Sequence, residues 1–490
     1  MPRPNTTPFF AALAPLLFGR PPRSLSAALQ AQVTKADSLA QLRALFGSMI
    51  PDVLLAPAQD GAGSRERLFS GLITFWAFLS QVLSPNSSCR EVVRKVQAFW
   101  LLLRREKLEI SPDTSAYCQA RQRLAEKSLD QIHTHLAERM EANTPSANLW
   151  RGRRVKIVDG TNLSMPDTAE NQAAYPQPSS QKKGCGFPMM KLVALFSLAS
   201  GALLHFARGT LHIHESQLFR ALWQYLVKGD ILLSDRGFCS YFAIAHLRAR
   251  GVDSVMRLHQ ARQVSFRRGQ RLGPDERLLT WQKPAQRTPA WSAQDFAALP
   301  ETLTVRLIRW QVKVPGWRSR TILVVTTLLD PLAYPAQALA ALYLERWNVE
   351  LHFREIKITL ALDVLRCLRP AMIEKELRMH LIAYNLSRAL MQDAALRHRV
   401  ELCRLSFKGT VDSLRHFAAA MDAAHGRPRK QTFLLDALLE MIAKDLLPER
   451  PGRNEPRAKK RRAKNYHLLT KPRHEMRVPS HRNRPKPCLS

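Results

Sequence analysis

Three acidic residues occupy positions where sheet-based enzymes place metal ligands. Asp159 ends the short apolar run VKIVDG, Asp235 ends the run ILLSDRG, and Glu350 lies within a segment of helical periodicity. Carboxylate oxygens are the ligands that Mg²⁺ prefers. Taken singly, each position also has an ordinary explanation, because an Asp at a strand end is commonly a turn residue and a helical Glu is commonly solvated or salt-bridged.

The segment around Glu350 carries a more specific pattern. It follows the spacing Y-x2-R-x3-E-x6-K, made by Tyr343, Arg346, Glu350 and Lys357. At about 100° per residue these four side chains project within an arc of roughly 60°, and Arg354 falls on the same face. An adjacent apolar stripe is expected to pack on a sheet; it consists of Val349, Phe353, Ile356 and Leu360.

A carboxylate flanked by cations is typical of phosphodiester chemistry, in which acids hold divalent ions while Arg and Lys contact phosphates. Intrahelical ion pairing of Arg346 with Glu350 is the structural alternative. Tyr343 as a covalent nucleophile is disfavoured, since phosphate binding explains the surrounding cations equally well.

The overall charge points to a nucleic-acid partner. The chain has 74 Lys and Arg against 40 Asp and Glu, a formal charge of +34. Such an excess attracts a polyanion through counterion release and a long-range field. Lys459, Lys460, Arg461 and Arg462 mark a basic tail that lacks hydrophobic periodicity, and such runs are typically disordered.

Cysteine usage and hydropathy bear on the compartment. The seven cysteines are scattered and form no CxxC pair, so neither a disulfide framework nor a zinc site is indicated. The longest uncharged apolar run, 68–83, contains polar residues and is shorter than a bilayer span, so a buried helix is expected there. We therefore expect a cytoplasmic protein, nucleoid-associated when bound to DNA.

The elements that must position these acids alternate between strands and helices. Residues 24–145 have helical patterns only, with a capping box from Ser88 to Glu91 that predicts a helix start. Several arginines make these helices basic, which indicates either a DNA-binding surface or an ordinary solvated face, with equal weight. The expected order then becomes strand, strand, strand, helix, strand, helix, strand, over 154–159, 189–199, 202–210, 214–227, 231–235, 240–250 and 252–258. A basic interruption at 260–320, a strand at 321–329, a long helix at 336–360 and an amphipathic helix at 374–397 follow.

Three segments carry a family resemblance. DGTNLSMPD at 159–167, LLSDRGF at 232–238 and YLERWNVELHFREIK at 343–357 resemble bacterial insertion-sequence transposases of the DDE class with a Y-R-E-K signature, the insertion sequence 4 group. The likeness covers roughly 150–400 and keeps the three motifs in order. It implies an α/β, ribonuclease-H-like catalytic fold with a β-rich insertion before the helix of the third acid.

The resemblance also implies roles for residues. Asp159, Asp235 and Glu350 would be the catalytic triad that holds two Mg²⁺ ions, with Mn²⁺ as a substitute. A second set would grip double-stranded DNA at the element ends and the target, within a homodimer; it consists of Tyr343, Arg346, Arg354 and Lys357. Some relatives stack a flipped base on a tryptophan just before the closing strand. Here that place is SRTILVV, with Trp317 as the nearest tryptophan, so a hairpin-forming route is in doubt.

The expected activity is cut-and-paste DNA transposition. Water hydrolyses one strand at the element end, and the freed 3′-OH attacks target DNA in line. The alternatives are a ribonuclease-H-like nuclease that cuts without joining and a noncatalytic DNA-binding regulator. The expected domains are a helical end-binding domain at 1–150, a catalytic domain at 151–400 with its insertion at 260–320, helices at 401–450 and a basic tail at 451–490.

Overall fold

The structure of the chain is a computed structural model. It describes residues 69–104, 111–287, 291–311, 321–422, 428–449, 469–472 and 475–476. Trp317, the basic run at 459–462 and the first 68 residues lie outside the described residues. Within the described ranges, no helix is long and apolar enough to cross a membrane.

The described part of the chain begins with helices. They are α1 (Gly71–Leu83), α2 (Cys89–Arg104), α3 (Ser115–Arg123) and α4 (Glu126–Ala142). The apolar run at 68–83 forms the expected buried helix, and the Glu91 N–H donates to Ser88 Oγ at 3.1 Å, as the capping box predicts. No strand occurs among the described residues from 69 to 149.

A single mixed sheet follows. Its strands are β1 (Val155–Ser164), β2 (Met189–Ser197), β3 (Leu203–Thr210), β4 (Ile231–Ser234), β5 (Asp253–Arg257), β6 (Gln270–Gly273), β7 (Glu276–Gln282), β8 (Thr302–Gln311) and β9 (Thr321–Thr326). Their spatial order is β3-β2-β1-β4-β5-β9-β8-β7-β6. β1, β4 and β5 are parallel neighbours, and the other neighbouring pairs are antiparallel. The expected basic insertion therefore extends the same sheet instead of forming a separate one.

Helices cover both faces of the sheet. They are α5 (Ala169–Ala174), α6 (Glu215–Leu222), α7 (Tyr241–Ala249), α8 (Ala293–Ala297), α9 (Ala336–Leu344), α10 (Asn348–Arg354), α11 (Pro370–His398), α12 (Phe407–Asp422) and α13 (Pro428–Lys444). Successive side chains of β1 enter different cores: Ile157 packs with α9, α10 and α11, whereas Val158 packs with α6 and α7. The expected strand and helix order from β1 to β5 is confirmed, with the short α5 as an unpredicted addition.

Two expectations about β1 and α11 were wrong. β1 does not end at Asp159 but continues to Ser164, because pairing with β2 holds residues 160–164 extended although their sequence resembles a turn. The helix at 374–397 was expected to be amphipathic, yet α11 is buried on nearly every side. Its charged residues resemble a solvated face in sequence but are paired inside the protein, as Arg378 is with Glu374 and Asp130.

The helix expected over 336–360 is helical throughout 336–359 but is not one regular α-helix. A 3₁₀ turn at Glu345–Trp347 separates α9 from α10, and a π-helical turn at Glu355–Thr359 follows α10. Because these turns rotate by different angles per residue, the 100° spacing assumed for the Y-R-E-K pattern does not hold from end to end. The apolar stripe is nevertheless buried, as expected.

Candidate active site

The two aspartates come from neighbouring parallel strands. β1 and β4 pair in register up to Val158 opposite Ser234. The next residue of each strand is therefore an aspartate, Asp159 in β1 and Asp235 directly after β4. Side chains alternate along a strand, so Asp159 projects on the same face as Ile157, toward α9 and α10.

Local backbone geometry orients both carboxylates. The Gly160 N–H donates to Asp159 Oδ1 at 2.8 Å, and the Gly237 N–H donates to Asp235 Oδ1 at 2.8 Å. Each aspartate thus has one oxygen engaged by the chain just after it. The second oxygen of each group is the one available to a cation or to another side chain.

Arg346 connects the sheet to the helix of the third acid. Its guanidinium donates to Asp159 Oδ2 at 3.2 Å and to Glu350 Oε1 at 3.4 Å. Arg346 is buried, whereas the Glu350 side chain is 57% exposed. The ion pair of Arg346 with Glu350 that was expected as an alternative therefore exists, but the same guanidinium also binds a carboxylate 187 residues away in sequence.

The pKa of Asp159 reflects the negative charges gathered at this edge of the sheet. The pKa of Asp159 is raised to about 6, chiefly by burial and also by the negative charges of Asp235 and Glu350, while the Gly160 N–H and Arg346 offset part of the rise. Asp235 and Glu350 are thus both close enough to affect Asp159. We call the group Asp159, Asp235, Glu350 and Arg346 the acid edge.

Tyr343 lies in the wall of the acid edge. Burial raises the pKa of Tyr343 to about 12, and the guanidiniums of Arg346 and Arg257 partly offset the rise. A raised pKa makes the phenol harder to deprotonate than an ordinary tyrosine, which disfavours its use as a nucleophile. Its position beside Arg346 is consistent with a structural or binding role.

Lys357 reaches β1 beyond Asp159. Its Nζ donates to Thr161 Oγ1 at 3.2 Å and to the Asn162 carbonyl at 3.1 Å. Lys357 belongs to the π-helical turn, which places it against the part of β1 that the sequence did not predict to be a strand. Burial lowers the pKa of Lys357, with the Asp363 charge opposing the shift.

The structure therefore brings together Asp159, Asp235, Glu350, Arg346 and Tyr343. Lys357 lies farther along β1, and Arg354 is an exposed residue at the end of α10.

Some residues of this region were missed in the sequence. Arg257 ends β5, the next parallel strand, and its charge reaches Tyr343; its place at a strand end beside Asp235 could have marked it. Glu215, the first residue of α6, lies on the opposite face of β1, where a Cβ added to Gly160 would be 3.0 Å from its carboxylate. No sequence pattern connects Glu215 with Gly160.

The acid edge fits divalent cations by its donor chemistry, since it offers hard oxygen ligands and has an unfavourable concentration of negative charge around Asp159. Among the described residues, no three His, Cys, Asp or Glu side chains are gathered closely enough to hold one ion. Arg346 supplies the positive charge between Asp159 and Glu350. Chemically, such an edge offers oxygen ligands of the kind that divalent cations prefer.

Comparison with known proteins identifies this arrangement. A family model described as a transposase DDE domain matches residues 150–386. Transposase InsG for insertion sequence element IS4, from Escherichia coli strain K12, is 26% identical over 370 residues, which cover 73% of this chain and 79% of that protein. Putative transposase InsZ of the same organism is 28% identical over 138 residues, covering 28% of this chain and 46% of that protein.

A solved structure of piggyBac transposase in a synaptic complex with hairpin DNA is also similar, with a TM-score of 0.43 and 11% identity, covering 84% of this chain and 86% of that one. That similarity is too low to carry an argument about the site. The matched domain spans the three acid-bearing motifs, and InsG matches most of both chains. Residues 150–386 therefore form a transposase DDE domain, and the chain is similar to an insertion sequence IS4 transposase over most of its length.

Proposed function

We propose that this DNA transposase cuts phosphodiester bonds at the ends of an insertion element and transfers the freed 3′-OH ends into target DNA, by cut-and-paste transposition. The observation that carries the proposal is the arrangement at one edge of the sheet, where Arg346 binds both Asp159 and Glu350 and where Asp235 follows the neighbouring parallel strand and acts on Asp159 through its charge. The mixed sheet, with β1, β4 and β5 parallel and helices on both faces, supports a ribonuclease-H-like core.

Asp159, Asp235 and Glu350 are the proposed ligands of two Mg²⁺ ions, for which Mn²⁺ can substitute. When bound, such ions supply activation of the attacking oxygen and stabilisation of the leaving oxygen in an in-line displacement. The proposed contribution of the chain is to hold the carboxylates in place. Gly160 and Gly237 orient the two aspartates through their N–H groups, and α10 presents Glu350 on the solvent side.

The cations of the helix are the proposed DNA contacts, together with Tyr343. Lys357 and Arg354 lie toward the surface and would meet phosphates first. Two carboxylates bind Arg346. For Arg346 to contact a phosphate, other cations must therefore neutralise those carboxylates. Arg346 thus links occupation of the acid edge to the binding of DNA.

The wider assignments rest on charge and on family. A formal charge of +34 supports double-stranded DNA as the partner, and residues 1–150 are proposed to bind the element ends. Residues 151–400 are the proposed catalytic domain, with the insertion at 260–320, helices at 401–450 and a basic tail at 451–490 behind it. We further propose a homodimer that pairs two DNA ends, in the cytoplasm.

The test is Mg²⁺-dependent cleavage and joining of a labelled element-end duplex by the full chain and by Asp159→Asn, Asp235→Asn and Glu350→Gln. Glu345→Gln is the matched control, because Glu345 is an exposed acid of the same helical segment that is bonded only locally, to Asn348 at 2.8 Å. We expect each triad variant to bind the duplex but to lose at least about a thousandfold in cleavage rate. The Glu345 variant should retain the rate of the unaltered chain.

The products distinguish the alternatives. Cleavage without a strand-transfer product would favour a nuclease, and binding without cleavage by the unaltered chain would favour a regulator. Full activity in any triad variant would show that the acid is wrongly assigned. Thermal unfolding with and without Mg²⁺ gives a second readout, since only a chain that binds the ion is stabilised by it.

A further inference from the structure

Three scattered cysteines meet in one cavity remote from the acid edge. Cys89 begins α2, Cys118 lies in α3, and Cys367 lies between the π-helical turn and α11. All three line a cavity of about 550 Å³ between the N-terminal helices and the segment 360–369. We call Cys89, Cys118, Cys367 and Arg121 the thiol cavity.

Two of the sulfurs share one donor. Arg121 Nη2 donates to Cys89 Sγ at 3.4 Å and to Cys118 Sγ at 3.7 Å. Gln81 Nε2 also donates to Cys89 Sγ at 3.7 Å. Cys89 therefore accepts two donors, and one of them also binds the sulfur of Cys118.

The buried positive charge of Arg121 requires a negatively charged or polar partner. The guanidinium lies over the rings of Phe78 and Tyr117, at 4.9 and 5.0 Å from the ring centres, and is buried. No carboxylate lies within 4.0 Å of it among the described residues. Because Arg is always charged and a buried charge is costly without a partner, the sulfur pair is its nearest anionic partner.

The thiol cavity is also lined by four other ionisable groups. They are Arg366, Arg369, Glu376 and His380. The Glu376 carboxylate accepts the N–H groups of Arg366 and Cys367 at 2.9 to 3.0 Å. Burial lowers the pKa of His380 to about 3, so its ring is neutral. Burial raises the pKa of Glu376 and the charge of Arg121 lowers it, so the guanidinium interacts with this carboxylate at longer range, while its direct contacts are with the sulfurs.

We propose that Cys89 and Cys118 form a reversible thiol switch, in which Cys89 is the nucleophilic thiolate that reacts with hydroperoxides and Cys118 resolves the product. The Cys89 thiolate attacks the peroxide oxygen, which breaks the O–O bond, yields a sulfenic acid at Cys89 and releases hydroxide or alkoxide. The Cys118 thiol then attacks that sulfur, and the disulfide forms with loss of water. The peroxide is reduced, the two thiols are oxidised, and a dithiol reductant reverses the change.

The ionisation pattern agrees with these roles. The hydrogen bond from Cys118 lowers the pKa of Cys89 to about 5, and Arg121 and Gln81 add to the effect against the opposing influence of burial. The same pair interaction raises the pKa of Cys118, and burial raises that of Cys367. Reactivity toward oxidants follows thiolate character and access, and the side chain of Cys89 is only partly buried whereas that of Cys367 is buried.

The first test needs no variant and does not depend on the DNA chemistry. The reduced full chain is treated with one equivalent of hydrogen peroxide at pH 6.5, blocked with N-ethylmaleimide, digested without reductant and mapped by mass spectrometry. We expect a Cys89–Cys118 linked peptide as the main product, removed by dithiothreitol. Cys403, which is exposed and whose pKa is raised, is the internal control and should oxidise at least about tenfold more slowly.

Two variants sharpen the result. Cys118→Ser should stop at a sulfenic acid on Cys89 that dimedone traps, and Cys89→Ser should leave Cys118 reduced. Oxidation of Cys403 ahead of Cys89, a Cys89–Cys367 link, or the absence of any linked peptide would each overturn the proposal.

Discussion

The acid edge and the thiol cavity each contain a buried arginine between anionic groups, but the cause of the negative charge differs. Arg346 is 5% exposed and Arg121 is 8% exposed. Carboxylates ionise readily at neutral pH, so Arg346 lies between groups that are negative by nature and that other cations can share. A thiol is ordinarily protonated there, so Arg121 helps to create the anion that it contacts.

The two sites differ in what happens to the arginine when its anionic partner is neutralised or removed. At the acid edge, cations that bind Asp159, Asp235 and Glu350 would free Arg346 for another partner, such as a phosphate. In the thiol cavity, oxidation of Cys89 would remove the anion and leave Arg121 with the faces of Phe78 and Tyr117 alone. Arg346 would exchange its carboxylate partners for a phosphate, whereas Arg121 would lose its anionic partner.

After the triad variants, the largest expected effect on cleavage is that of removing Arg346. Arg346→Met removes the link between Asp159 and Glu350 and the proposed phosphate contact, so we expect cleavage of the element-end duplex to fall about a hundredfold at saturating Mg²⁺. Single-turnover cleavage rates measure the change. Arg397→Met is the control, because Arg397 pairs with Asp436 on the exposed side of α11. A decrease of less than about threefold would mean that Arg346 only balances charge.

A smaller effect is expected for Lys357. Lys357→Met removes a cation that lies against Thr161 and Asn162, so affinity for duplex DNA should fall several-fold, on the order of tenfold at most. The slope of log affinity against log salt should decrease by about one, because one phosphate contact is lost. Fluorescence anisotropy over a salt series tests this. Lys408→Met, which alters an exposed pair with Asp412, should change neither quantity, and an unchanged slope for Lys357→Met would contradict a phosphate contact.

The smallest effect concerns the stability of the acid edge without divalent ions. The pKa of Asp159 is raised from 3.8 to about 6 in the folded chain, so folding favours its protonated form. The resulting penalty is absent below pH 4, grows between pH 4 and 6, and is complete above that range. Asp159→Asn removes the penalty but also loses the ion pair with Arg346, so we expect a gain on the order of 1 kcal/mol at pH 7.5.

Urea unfolding in a chelator at pH 7.5 and pH 4 measures this difference. The variant should be more stable at the higher pH and equal to the unaltered chain at the lower pH. Added Mg²⁺ should stabilise the unaltered chain more than the variant. A variant that is less stable at pH 7.5 would show that the pair with Arg346 outweighs the cost of burying the Asp159 charge.

Local patterns predicted much of this molecule. The order of strands and helices from β1 to β5 followed from runs of apolar residues, and the capping box at Ser88 fixed the start of α2. The apolar runs that end in Asp159 and Asp235 marked both acids as candidate ligands, and the structure places them on neighbouring parallel strands. These features are local or follow from one strand packing on the next, so a single sequence contains them.

Other features failed because they depend on distant partners. The end of β1 was placed too early, since only pairing with β2 keeps Gly160 to Ser164 extended. α11 was expected to have a solvated face, since nothing local shows that Arg378 also pairs with Asp130 and Glu126 of another helix. The 3₁₀ and π turns around α10 were likewise missed, because sequence periodicity does not distinguish them from an α-helix.

By itself, then, the sequence determined the three acids, the Y-R-E-K spacing, the basic charge and the alternation of strands and helices, all of which are written in residue types and short intervals. Only the tertiary structure decided that Arg346 joins Asp159 to Glu350, that Lys357 reaches Thr161, and that the cysteines of α2, α3 and the segment before α11 share a cavity. Apart from the i,i+4 pair of Arg346 with Glu350, these contacts join residues from about 30 to nearly 280 positions apart. Packing of the whole chain sets them, because no local periodicity extends over such separations.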